Sequence, residues 1–79
     1  MNKQAPLPHQ ERILAEKKEL DLKIIGLGTF LSDPDQTEKV DGQEIDRMQR
    51  QLDCMNAYSG ILTERIDAWT ENSVDQDND

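Results

Sequence analysis

The sequence predicts an all-α protein: a helical hairpin of two long antiparallel helices, assembled into a homo-oligomer. Three observations predict it. Apolar residues recur at helical spacing over two long stretches; one cluster of turn residues, Ser32-Asp33-Pro34-Asp35, separates them; and each stretch carries a second apolar flank that one hairpin cannot bury.

Residues 1–8 carry two prolines and no periodicity, so they read as an extended lead-in, with Pro8 placed where a missing N–H and a fixed φ suit a helix start. From His9 to Leu31 there is no proline, and Ile13, Leu20, Ile24, Leu27 and Leu31 share one helical face. Gly26 and Gly28 each weaken the end of that helix by about 1 kcal/mol relative to alanine, which predicts a bent or frayed last turn. The segment DPDQTEKVDG is polar and reads as the connection, with Asp41 or Gly42 capping the second helix.

The second helix is predicted over 43–69. Ile45, Met48, Leu52, Met55, Leu62, Ile66 and Trp69 alternate in steps of three and four, with Ser59 filling the one gap, and this is the period of helices packed side by side at a shallow angle. Gly60 is a soft spot in it. Beyond Trp69 the pattern stops, and residues 71–79 read as a disordered acidic tail. The expected organisation is therefore one helical domain over 9–70.

The second flank consists of Leu14, Leu22 and Ile25 on the first helix and Cys54, Tyr58, Ile61 and Ala68 on the second. At about 25 cal/mol per Å2, leaving it in water forfeits several kcal/mol, comparable with a small domain's whole stability. Self-association covers it. The alternative is a short amino-terminal helix folded back over the flank to make a compact monomer.

Composition bounds the function. At 79 residues, with 34% hydrophobic and 33% charged residues, the chain is too short for a multidomain enzyme or a βαβ cofactor fold. Its formal charge of -8 disfavours polymeric nucleic acid, whose binding rests on phosphate neutralisation. No apolar run reaches the roughly 20 residues of a membrane span, and the polar start MNKQAPLPHQER lacks a signal peptide's apolar core. One cysteine, Cys54, forms no internal disulfide and no thiolate zinc site alone, so a reducing cytoplasm is the expected setting. Charge is uneven: residues 1–32 carry Lys3, Arg12, Lys17, Lys18 and Lys23 against four acids, whereas the rest is strongly acidic. An anion site must draw on the first helix plus Arg47, Arg50 and Arg65.

Chemistry-bearing motifs are absent. There is no G-x-S-x-G, Walker A, HExxH, CxxC or EF-hand loop, and His9 has no second histidine with which to share a metal. The expectation is no enzyme activity, no metal and no cofactor. The many carboxylates read as solvated charges or as partners of Lys at i+4, Glu19/Lys23 being one such pair.

The strings LPHQERILAEKKELDLKIIGLGTFL and QRQLDCMNAYSGILTERI resemble a family of short phage proteins, the anti-CBASS type II proteins. The first half of the pattern is matched by Pro8, His9, Gln10, Arg12, Glu16, Lys17, Glu19, Leu20, Asp21, Lys23, Ile24, Leu27, Phe30 and Leu31. The second is matched by Gln51, Leu52, Met55, Tyr58, Leu62, Arg65 and Ile66, so the resemblance covers about residues 7–69. It is moderately specific, because chance supplies leucines more readily than PHQxR together with QLxxMxxY.

The resemblance implies an immune-evasion sponge in the cytoplasm of the host bacterium. Such a protein binds cyclic di- and trinucleotide messengers of the CBASS antiphage system without cleaving them, and it does so as an all-helical hexamer with pockets shared between protomers. It further implies that an aromatic near the start of the first helix stacks on the bases and that a lysine further along meets a phosphate; the matching positions are His9 and Lys23. Arg65 is the candidate for trinucleotide phosphates, with Arg12, Lys17 and Tyr58 as further candidates. The requirement is physically sound: flat bases and phosphates need stacking surfaces and cationic donors. The residues also leave open a helical interaction module that binds a host or phage protein, or an acidic mimic of nucleic acid.

Overall fold

The computed structural model describes the backbone of residues 7–78 and the side chains of residues 7–69. Residues 1–6 of the expected lead-in over 1–8 and the last residue of the expected tail lie outside the described residues. Helix α1 runs Pro8–Leu31, a short α2 runs Pro34–Thr37, and α3 runs Gly42–Asn78. Among the described residues there is no strand, so the protein is all-helical.

Helix α1 starts on Pro8, after an extended Leu7. The Gln10 side chain reaches back to accept from the Leu7 N–H at 3.0 Å, the return half of a capping box. The helix runs unbroken through Gly26 and Gly28 and closes where the Ser32 N–H donates to the Gly28 carbonyl at 3.0 Å. The chain then turns on Asp33, whose extended backbone is what a residue before proline requires.

The polar link contains a feature absent from the sequence reading. Pro34 begins α2, and the Asp33 carboxylate caps it by accepting from the Asp35 N–H at 3.0 Å. The residues that mark a turn are also the residues that start a helix, and here a single turn of helix results. Asp41 performs the same service for α3, with Oδ2 accepting from the Gln43 N–H at 3.0 Å.

Helix α3 continues past Trp69, where the apolar pattern ends, to Asn78. The expected end at 69 is corrected by this. No proline or glycine follows Gly60, and once a helix is nucleated each further residue adds a backbone bond without needing an apolar partner. At 1.5 Å per residue, α3 alone accounts for the long dimension of a rod measuring 57 × 18 × 17 Å.

α1 and α3 pack antiparallel along their seams. Ile13, Leu20 and Leu62 form the buried core, Leu62 at 0% exposure, and Ile24, Met55, Ile66 and Trp69 pack against them. The remaining seam positions Ile45, Met48 and Leu52 are half-buried. The second flank stays exposed: Leu22 at 61%, Ile25 at 62%, Ile61 at 54% and Tyr58 at 43%. Nothing among the described residues folds back over it.

Candidate functional site

One polar network marks the alignment of the two helices. The Ser59 hydroxyl donates to Asp21 Oδ1 at 2.6 Å and accepts from Lys17 Nζ at 2.9 Å, while Lys17 also pairs with Asp21 Oδ2 at 2.8 Å. Ser59 thus lies level with the turn between Lys17 and Asp21. Stepping outward in opposite directions brings Arg65 level with Ile13, Tyr58 with Leu20, and Lys23 with Met55.

The heptad period then decides which residues share a side. His9, Glu16, Lys23 and Phe30 recur every seventh position immediately beside the α1 seam, and Gln51, Tyr58 and Arg65 do the same on α3. In an antiparallel pair these two rows border one edge, opposite the edge that carries Leu14 and Asp21. Along it the order is His9, Arg65, Glu16, Tyr58, Lys23. Arg12 lies one turn from His9 and points further out from the same edge. Four of the six candidate residues, His9, Lys23, Tyr58 and Arg65, thus occupy equivalent positions, Arg12 adjoins them, and Lys17 lies in the Ser59 network instead.

His9, Arg12, Lys23, Tyr58 and Arg65 are exposed. They form an open row, not a cup: at 1.5 Å per residue His9 and Lys23 stand about 21 Å apart along the axis. Two open grooves among the described residues lie elsewhere, one lined by Leu14, Lys17, Lys18, Asp21, Leu22 and Ile25, the other at the junction of α1 and α2 around Ile24, Gly28, Ser32 and Pro34.

Ion pairing separates the cations into two groups. Arg47 is held by Glu44 at 2.8 Å, Arg50 by Asp46 at 3.1 Å, and Lys17 by Asp21. Among the described residues no ion pair engages Arg12, Lys23 or Arg65, so these keep their charge available to an anion. The expected Glu19–Lys23 pair does not form; the i,i+4 pair on α1 is Lys17–Asp21, which Ser59 draws toward the seam. Lys17, half-buried in this network, is a structural residue. The Asp21 carboxyl is held below the usual carboxylate range, chiefly by the hydrogen bond from Lys17 and then by that from Ser59.

The shared edge was within reach of the sequence: the sevenfold recurrence of His9, Glu16 and Lys23, and of Tyr58 and Arg65, is the signal. The Lys17–Asp21–Ser59 network was visible only as a serine in an apolar seam. Among the described residues no cluster of His, Cys, Asp or Glu is arranged to hold a metal ion, and no helix is long and apolar enough to cross a membrane.

A family model described as Sequestin matches residues 7–68, nearly the whole stretch that carries the phage-protein resemblance. No curated protein and no solved structure matches the chain.

Proposed function

The chain belongs to the Sequestin family, and from that premise we propose that it is a phage immune-evasion protein that binds and sequesters cyclic di- and trinucleotide messengers of the bacterial CBASS system, without cleaving them, in the host cytoplasm. Its working form is a homo-oligomer, a hexamer by resemblance. The observation that carries this reading is the common edge bearing His9, Arg65, Tyr58 and Lys23, exposed, with its arginine and lysine in no ion pair among the described residues.

The chemistry of the row fits the ligand. His9 and Tyr58 offer flat faces for bases; Lys23, Arg65 and Arg12 offer donors to phosphate oxygens. Glu16 divides the row, leaving Arg65 and Lys23 as separate cationic centres, which suits two ligand classes better than one. Symmetry-related arginines from neighbouring copies can converge on the phosphates of a cyclic trinucleotide. A single open row encloses nothing, so the pocket requires a second copy. The exposed apolar flanks on both helices give the copies a reason to meet. Burial between them strengthens the few charge-assisted bonds.

Calorimetry with a panel of cyclic dinucleotides and cyclic tri-adenylate tests the reading. Micromolar or tighter binding, with the ligand recovered intact, is the expected result; no binding across the panel defeats it. The exposed Leu14, Leu22 and Ile25 favour a second reading, a helical module that binds a host or phage protein. That reading expects a partner whose capture survives Lys23→Ala and Arg65→Ala.

A further inference from the structure

We propose that Ser59, through its bonds to Lys17 and Asp21, is a register lock that confines the α3 seam to α1 of the same chain in one alignment. Ile45, Met48, Leu52, Met55, Leu62, Ile66 and Trp69 form a general apolar seam. Sliding it by one heptad replaces many of its apolar contacts by others, and a second copy's seam offers apolar contacts too. Apolar contact alone therefore discriminates poorly between partners and alignments.

Ser59 discriminates. It is the buried polar residue of the core, at 8% exposure, and both of its partners come from the other helix. A buried hydroxyl without a partner is penalised, so a competing arrangement must meet it again, and none meets it with the same charged pair. One heptad along α1 in either direction, the residues corresponding to Lys17 and Asp21 are Gln10 and Leu14, or Ile24 and Gly28. Against a second copy of α3, the corresponding pairs are Leu52 and Asn56, or Ser59 and Thr63. No alternative supplies a cationic donor and a carboxylate acceptor together. A polar residue in an otherwise apolar seam is the best-attested device for fixing register and partner number.

The test compares Ser59→Val with Ser59→Thr, which add equal bulk and differ in the hydroxyl. Both are placed in a Cys54→Ser background with spin labels at Lys18→Cys and Asn56→Cys, diluted into unlabelled protein. The threonine variant should keep the parent's single distance and single set of amide resonances. The valine variant should melt no lower than the threonine variant, yet show a second distance population, from an axial shift of about 10 Å for a one-heptad slip, or a changed mass by light scattering. A valine variant with one distance, one resonance set and the parent's mass overturns the lock. If added bulk unfolds both, Ser59→Ala is read by the same criteria.

Discussion

The Ser59 hydroxyl meets the Asp21 carboxylate at 2.6 Å across 38 residues of chain, and the same carboxylate is bound by Lys17. Both contacts favour the ionised form, so Asp21 titrates below its ordinary value in the folded protein. A carboxyl whose pKa falls on folding stabilises the fold above its unfolded-state pKa, and that contribution is lost as the pH drops through the folded value. The melting temperature, followed by circular dichroism, should therefore fall as the pH is lowered below about 4. Asp21→Asn should flatten that part of the profile. An unchanged slope in the variant would refute the assignment.

Leu62 and Ile61 are sequence neighbours with opposite environments, 0% and 54% exposed. Leu62→Ala should destabilise the hairpin by about 2–5 kcal/mol, read by denaturant unfolding, because it empties the centre of the core. Ile61→Ala should leave helix content intact while lowering the assembled mass in light scattering. Equal effects from the two substitutions would mean that the outer flank is not an interface.

Ligand choice should divide between Lys23 and Arg65. Lys23→Ala is expected to weaken cyclic dinucleotides, and Arg65→Ala cyclic trinucleotides, each by about 10- to 100-fold, the worth of a charge-assisted hydrogen bond of about 1.5–3 kcal/mol. Lys18→Ala, on the far edge, serves as the control that leaves both affinities alone. Calorimetry on variants of unchanged oligomeric mass reads the outcome; a uniform loss in either variant argues against distinct sites.

Asp41 caps the longest helix through the Gln43 N–H. Asp41→Ala should lower stability by about 1 kcal/mol, and Asp41→Asn should restore most of it. Thermal melts of the three proteins decide.

The seam was legible residue by residue, because each position from Ile13 to Trp69 that repeats at helical spacing is buried or half-buried. Helix ends were less so. Asp33-Pro34 reads equally as a turn and as a helix start, and the end of α3 carries no stop signal that composition could register. The choice between Glu19–Lys23 and Lys17–Asp21 depended on Ser59, which lies on the other helix, and no local spacing contains that fact. The same holds for the common edge: sevenfold recurrence lies in each helix separately, but only the antiparallel alignment joins His9 and Lys23 to Tyr58 and Arg65.

A rod two helices thick has almost no inside. Groups able to touch a ligand stand on its outer margin, and those that hold the rod together stand on its spine, so the two sets barely overlap. Substitutions that retune what the margin binds need not disturb folding, a useful freedom if, as proposed, the target is a messenger chosen by an adversary.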